Sequence, residues 1–333
     1  MRSILFVATT LALLTACQRP AQSDAPVRSA AATTADTPAA AATLPDAGFA
    51  YAELGIADLQ TRMTRGELSS HALTQAYLDR IAALDDAGPH LNAVIELNPN
   101  ALKEADALDA ERKAGQLRGP LHGVPILLKD NIDATPMANS AGSLALASFK
   151  PKTDAFVVTR LRQAGAVILG KTNLSEWANF RSSHSTSGWS ARGGQTLNPY
   201  ALDRSPCGSS SGSGSAVAAN LAAAAIGTET DGSILCPSAV AGLVGIKPTV
   251  GLISRNGIIP ISHSQDTPGP MARSVADAAV LLSSMVGRDE GDAATAESTG
   301  RAMFDYHARL DPNALSGARI GVLRKAAGFH PGV

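Results

Sequence analysis

Apolar and polar positions change rhythm several times along this chain, and each change marks an element. Ile56, Leu59 and Met63 recur at helical spacing, and Gly66-Glu67-Leu68-Ser69-Ser70 breaks that pattern. A second helical face follows at Leu73, Ala76, Tyr77, Ile81 and Leu84. Leu91–Leu97 reads as a strand, and Asn100 is placed to cap a helix over Ala101–Ala114. Val124–Leu128 is a continuous apolar run, the pattern of a strand buried on both faces. Phe156–Gln163 predicts a helix and Ala166–Leu169 a further buried strand. Asn173–Phe180 is a short amphipathic stretch, and Arg181–Asn198 a polar loop region around Trp189. Ser274 is set to cap a helix running through Met285, and Arg319–Leu323 is a last buried-strand candidate.

The densest run of unusual residues lies between Ser205 and Pro237. Cys207–Ser215 alternates glycine and serine, too flexible and polar for a helix or a buried strand. Ala216–Ala225 then predicts a small-residue helix packed close to a sheet. Gly227-Thr228-Glu229-Thr230-Asp231-Gly232-Ser233 forms a second polar loop ending in serine. Two serine loops held by one buried element suggest a site on a rigid scaffold.

Composition supports an α/β reading. Hydrophobic residues make up 45 % and charged residues 17 % of 333, with 30 glycines and only 4 % aromatics, which fits a close-packed, loop-rich chain. The formal net charge of −1, without a basic block, argues against a nucleic-acid partner. The N-terminus carries an export pattern. Arg2 precedes the apolar run Ile4–Ala16, too short to span a bilayer, and Leu14-Thr15-Ala16-Cys17 resembles a bacterial lipobox. Residues 1–17 are thus expected to be a lipoprotein signal with Cys17 lipidated, and Gln18 in place of an aspartate points to the outer membrane, facing the periplasm. Residues 18–48, rich in Ala, Thr and Pro, read as a disordered tether, and 49–333 as the folded domain. Cys207 and Cys236 read as two buried thiols rather than a disulfide.

Three patterns carry possible chemistry. Lys129 ends the Val124–Leu128 run, where burial would disfavour its charged form and make it a base. Gly165–Thr172 satisfies the phosphate-loop pattern G-x-x-x-x-G-K-T, but its intervening Ala-Val-Ile-Leu should be strand, so nucleotide binding is not expected. Gly208–Gly212 satisfies the G-x-S-x-G nucleophile elbow around Ser210, with His263 downstream. No buried strand precedes it, as that motif demands.

Lys129, the Gly/Ser loop and the Thr-Asp-Gly-Ser loop together resemble the amidase signature family. The resemblance rests on GVPILLKDNI around Lys129, CGSSSGSGSAVAAN from Cys207 and GTETDGSILCPSAVAGLVGIKPT from Gly227. GAVILGKTNLSEW and SQDTPGPMARSVAD extend it. The wording is most similar to the peptide amidase branch. The resemblance implies a twisted mixed β-sheet enclosed by helices. It implies Ser233 as nucleophile, Ser209 as a bridging serine with a cis peptide bond, Lys129 as base, and the N–H groups of Thr230, Asp231, Gly232 and Ser233 as oxyanion hole. No metal or cofactor is implied. The expected reaction is hydrolysis of linear carboxamides, C-terminal peptide amides among them. Glu229, Asp231 and Leu235 stand where the family commonly has Asp, Gly and Arg. Family cores usually continue past Val333, so the domain is expected to be C-terminally incomplete. The rival to the enzyme is a non-catalytic binding lipoprotein that keeps the cleft.

Overall fold

A computed structural model describes residues 48–324; the signal segment, Cys17 and residues 18–47 of the tether lie outside the described residues. Helices α1 (Ile56–Thr64) and α2 (Ser70–Ile81) follow the predicted periodicity, and Leu59, Leu73 and Tyr77 are fully buried. Ser69 caps α2 by accepting from the Ala72 N–H at 3.0 Å. Strand β1 (Val94–Leu97) is shorter than predicted, and α3 (Ala101–Lys113) starts after Asn100, whose side chain makes no cap bond. That side chain is not needed for helix entry: Asn98 Oδ1 accepts from the Asn100 N–H instead.

The sheet is assembled from distant segments. Strands β2 (Pro125–Lys129) and β3 (Val167–Thr172) run parallel, with α4 (Phe156–Gln163) between them in sequence. The GKT of the phosphate-loop pattern lies inside β3, so the segment is strand and not loop. Trp189–Ser190 (β4) and Gly194–Gln195 (β5) form a separate small hairpin within the polar region.

Next come helix α5 (Ser211–Ala218) and strand β6 (Ala224–Glu229), followed by α6 (Leu235–Val240), β7 (Val244–Gly245), β8 (Thr267–Ala272) and α7 (Val275–Met285). The main sheet has the order β1-β3-β2-β6-β8-β7 and is mixed: β2 pairs in parallel with β3 and β6, while β1, β8 and β7 join antiparallel. Ser274 caps α7, as predicted, through the Asp277 N–H.

Three expectations are corrected here. The Ser/Gly run is loop only over Cys207–Ser210; Ser211–Ser215 opens a helix, because α5 is buried throughout and its hydroxyls are satisfied by the sheet and the chain beside it. Ser213 bonds the Ile226 carbonyl and Ser215 the Leu197 carbonyl. A Cβ on Gly212 would stand 2.3 Å from the Ala93 carbonyl oxygen, so glycine permits an approach no other residue allows. Of the predicted Ala216–Ala225 helix, only Ala216–Ala218 is helical; the chain turns at Asn220, with φ of 57°, and Ala224 and Ala225 enter the central strand. Small side chains let helices close on that strand, and pairing overrode alanine's helical preference. Arg319–Leu323 is exposed and belongs to no strand, because neither sheet edge among the described residues pairs with it.

Candidate active site

β2 and β6 lie side by side and parallel, so their C-terminal ends open at one edge of the sheet. Ligand sites favour this edge, because the loops leaving parallel strands gather there. Lys129 is the last residue of β2 and is fully buried. Its Nζ lies 2.8 Å from Ser209 Oγ, 3.0 Å from the Thr228 carbonyl oxygen and 2.9 Å from Thr228 Oγ1. Burial pushes the lysine down to about 7, with the carboxylates of Glu229 and Asp266 pulling weakly the other way. A neutral amine fits all three partners. It keeps two N–H bonds to Thr228, and its lone pair accepts the O–H hydrogen bond of Ser209.

Ser209 follows a cis Gly208–Ser209 peptide bond and is fully buried. Its carbonyl accepts from the Ser175 N–H at 3.1 Å. A Cβ on Gly208 would meet Ser175 Oγ at 2.3 Å, so a larger residue there would have to displace that hydroxyl. Ser233 sits between β6 and α6, and the Ser210 N–H donates to its carbonyl at 3.0 Å, tying the two serine loops together. Ser209 and Ser233 line one cleft with Asn131, Thr228, Thr230, Arg255, Ile258, Asp266 and neighbours, about 290 Å³ including its open mouth. Ser233 is 8 % exposed and Ser209 0 %, so an incoming molecule meets Ser233 first and Ser209 stands behind it.

The loop carrying Ser233 is shaped by a buried carboxylate. Glu229 accepts from the N–H groups of Gly232 (2.8 Å), Ile234 (2.7 Å) and Leu235 (2.9 Å). Gly232 therefore spends its N–H inside the loop. Among the described residues, the N–H groups of Thr230, Asp231 and Ser233 donate to no protein acceptor. Thr230 Oγ1 bonds Asp266 at 2.5 Å, bracing the loop against the start of β8. The Asp231 side chain is exposed.

A second bond joins the two loops. Cys207 and Cys236 form a disulfide with Cα atoms 5.9 Å apart, and both residues are half-buried. The expectation of separate buried thiols is therefore corrected: the backbone bond between the loops brings the cysteines within bridging reach. The nucleophile elbow is also absent. Ser210 Oγ is buried and bonded to the Thr228 backbone, while His263 is exposed.

Sequence reasoning missed Thr228, which binds the lysine twice, and Asn131, which donates to Thr228 Oγ1 at 3.0 Å. It also missed a buried ion pair behind the site. Lys171 Nζ lies 3.2 Å from Asp130 and donates to the carbonyls of Ile132 and Ala138. Arg192 and Ser140 also bond Asp130, so the chain leaving β2 is clamped from several sides. Residue alternation was the available signal: Lys129 and Asp130 are neighbours on one chain and project oppositely. Among the described residues, no group of His, Cys, Asp and Glu is placed to hold a metal.

Mixed sheet, buried lysine and paired serine loops define a class, and the sequence comparison agrees: the chain belongs to the amidase family, matched over residues 72–333. It is similar to the native peptide amidase of Stenotrophomonas maltophilia, at 71 % identity and a TM-score of 0.80, covering 81 % of this chain and 55 % of that one. A putative amidase of Arthroderma benhamiae is 49 % identical, covering 80 % of this chain and 45 % of its own length. A probable amidase of Arabidopsis thaliana is 48 % identical, over 83 % of this chain and 54 % of its own. The chain thus spans about half the length of these relatives.

Proposed function

We propose that this chain hydrolyses linear carboxamides, C-terminal amides of peptides among them, to carboxylic acid and ammonia. The observation that carries the reading is the buried Lys129–Ser209 hydrogen bond at 2.8 Å, with the lysine pushed down to about 7. A serine hydroxyl is a weak nucleophile and needs a base. Neutral Lys129 takes the Ser209 proton as Ser209 takes that of Ser233, and Ser233 Oγ attacks the amide carbon. The carbonyl oxygen becomes an oxyanion held by the N–H groups of Thr230, Asp231 and Ser233, each good donor worth roughly 3–4 kcal/mol. Collapse breaks the C–N bond as Ser209 returns a proton to the nitrogen and Lys129 reprotonates Ser209. Ammonia leaves an acyl-Ser233 ester, which water hydrolyses through the same relay. The groups are all supplied by protein, and the similarity to a peptide amidase supports the peptide-amide substrate.

Ammonia release from peptide amides and simple aliphatic amides tests the reading. The parent should release it, and folded Ser233→Ala should not; turnover retained in Ser233→Ala sinks the mechanism. A folded parent that is silent on every amide favours the binding-only alternative.

On the lipobox reading we further propose that this activity sits at the outer membrane, facing the periplasm, with residues 18–48 as tether and 49–333 as the catalytic domain. The disulfide supports an oxidising compartment. Radiolabelled palmitate should be incorporated by the parent chain and not by Cys17→Ser; equal labelling of both would refute lipidation at that cysteine.

A further inference from the structure

Asn131 follows β2 closely, and its side chain is 3 % exposed while lining the cleft. Its Nδ2 is committed to Thr228 Oγ1 at 3.0 Å, the hydroxyl that also binds Lys129 Nζ. Its Oδ1 is buried without any hydrogen-bond partner, and no other residue lining this cleft, among those described, carries such an orphaned side-chain atom. The backbone around it is fixed, since the Asn131 carbonyl accepts from the N–H of Ile259, another lining residue, at 2.9 Å. A buried acceptor left unpaired is costly, and a ligand donor that pairs it recovers that cost on binding.

The location says which donor. Through Thr228, Asn131 stands next to the lysine relay, which is the side from which the departing nitrogen receives its proton. An unsubstituted carboxamide carries two N–H donors on that nitrogen, and both lose water when the acyl group reaches Ser233. We propose that Asn131 Oδ1 accepts an N–H of the substrate's –CONH2 group, making Asn131 a specificity-determining residue that favours unsubstituted carboxamides over esters of the same acid. This assignment rests on the amidase reading above. An ester's leaving oxygen has no hydrogen to offer, so it leaves Oδ1 unpaired and draws nothing from this residue.

The test compares a peptide carboxamide with the methyl ester of the same peptide, using the full chain, Asn131→Ala and the near-isosteric Asn131→Leu. Labelling by a fluorophosphonate reports whether Ser233 remains activated. In either variant the carboxamide should lose roughly 10–100-fold more in kcat/KM than the ester, whose loss, with that of the labelling rate, reports the part that runs through Thr228 and Lys129. Asn131→Asp keeps an acceptor, so it should restore the preference for the carboxamide, with the acid limb of the pH profile moved upward by its charge beside Lys129. Equal losses on amide and ester would overturn the assignment and leave the amidase reading standing. Unchanged amide turnover in both Asn131→Ala and Asn131→Leu would do the same. A folded parent that hydrolyses neither substrate overturns the amidase reading and this assignment together.

Discussion

At the scale of single residues, the base is defined by its isolation from water. Lys129 titrates at about 7 in the folded chain against 10.5 for an ordinary lysine. Turnover should therefore rise with pH through about 7, and Lys129→Ala should abolish it in a protein that remains folded. The same shift enters stability. Between about 7 and 10.5 the unfolded chain holds a proton that the folded chain has released, so raising the pH favours folding across that window. Below about 7 both states hold it and the dependence vanishes. Urea midpoints measured from pH 6 to 9 should rise more steeply for the parent than for Lys129→Met. Parallel curves would show that Lys129 stays charged in the fold. Lys129 was legible in the sequence because a lysine closes an apolar run. Thr228 and Asn131 were not, since their roles depend on which residues the strand register sets side by side.

At the scale of elements, small residues decide which segment may approach which. In α5, Gly212 stands where neighbouring backbone would otherwise collide: besides the Ala93 oxygen, a Cβ there would meet the Asn173 carbonyl oxygen at 2.5 Å. Gly212→Ala is expected to cost about 3 kcal/mol or more, read as a lowered thermal midpoint, because backbone cannot yield as a side chain can. Gly232 gives the opposite case. A Cβ there meets nothing within 4 Å, yet φ is +74°. Gly232→Ala should lose only about 1–2 kcal/mol of stability, and its turnover should fall further than its midpoint suggests as the Ser233 loop shifts. Helices with a clear apolar stripe, α1, α2, α4 and α7, were legible in the sequence. The α5–β6 boundary was not, because alanine and glycine carry little local preference once burial dominates.

At the scale of the molecule, the disulfide links two segments separated by 29 residues that carry the two serines. Replacing both cysteines by serine should lower stability by roughly 2–4 kcal/mol, seen as a lower urea midpoint that no longer responds to reductant. The family resemblance gave the sheet's general character, but pairing order could not be read locally, since each strand of the parallel core finds its neighbour across a long connection.

That order governs when the site comes into being. Lys129 meets Thr228 across 99 residues of chain, and its bond to Ser209 crosses 80. Closing such loops is slow compared with forming helices. During refolding, helical signal should therefore return before any reactivity of Ser233 does. Regained labelling would clock the arrival of β6 beside β2, making the serine a timer for that long-range pairing.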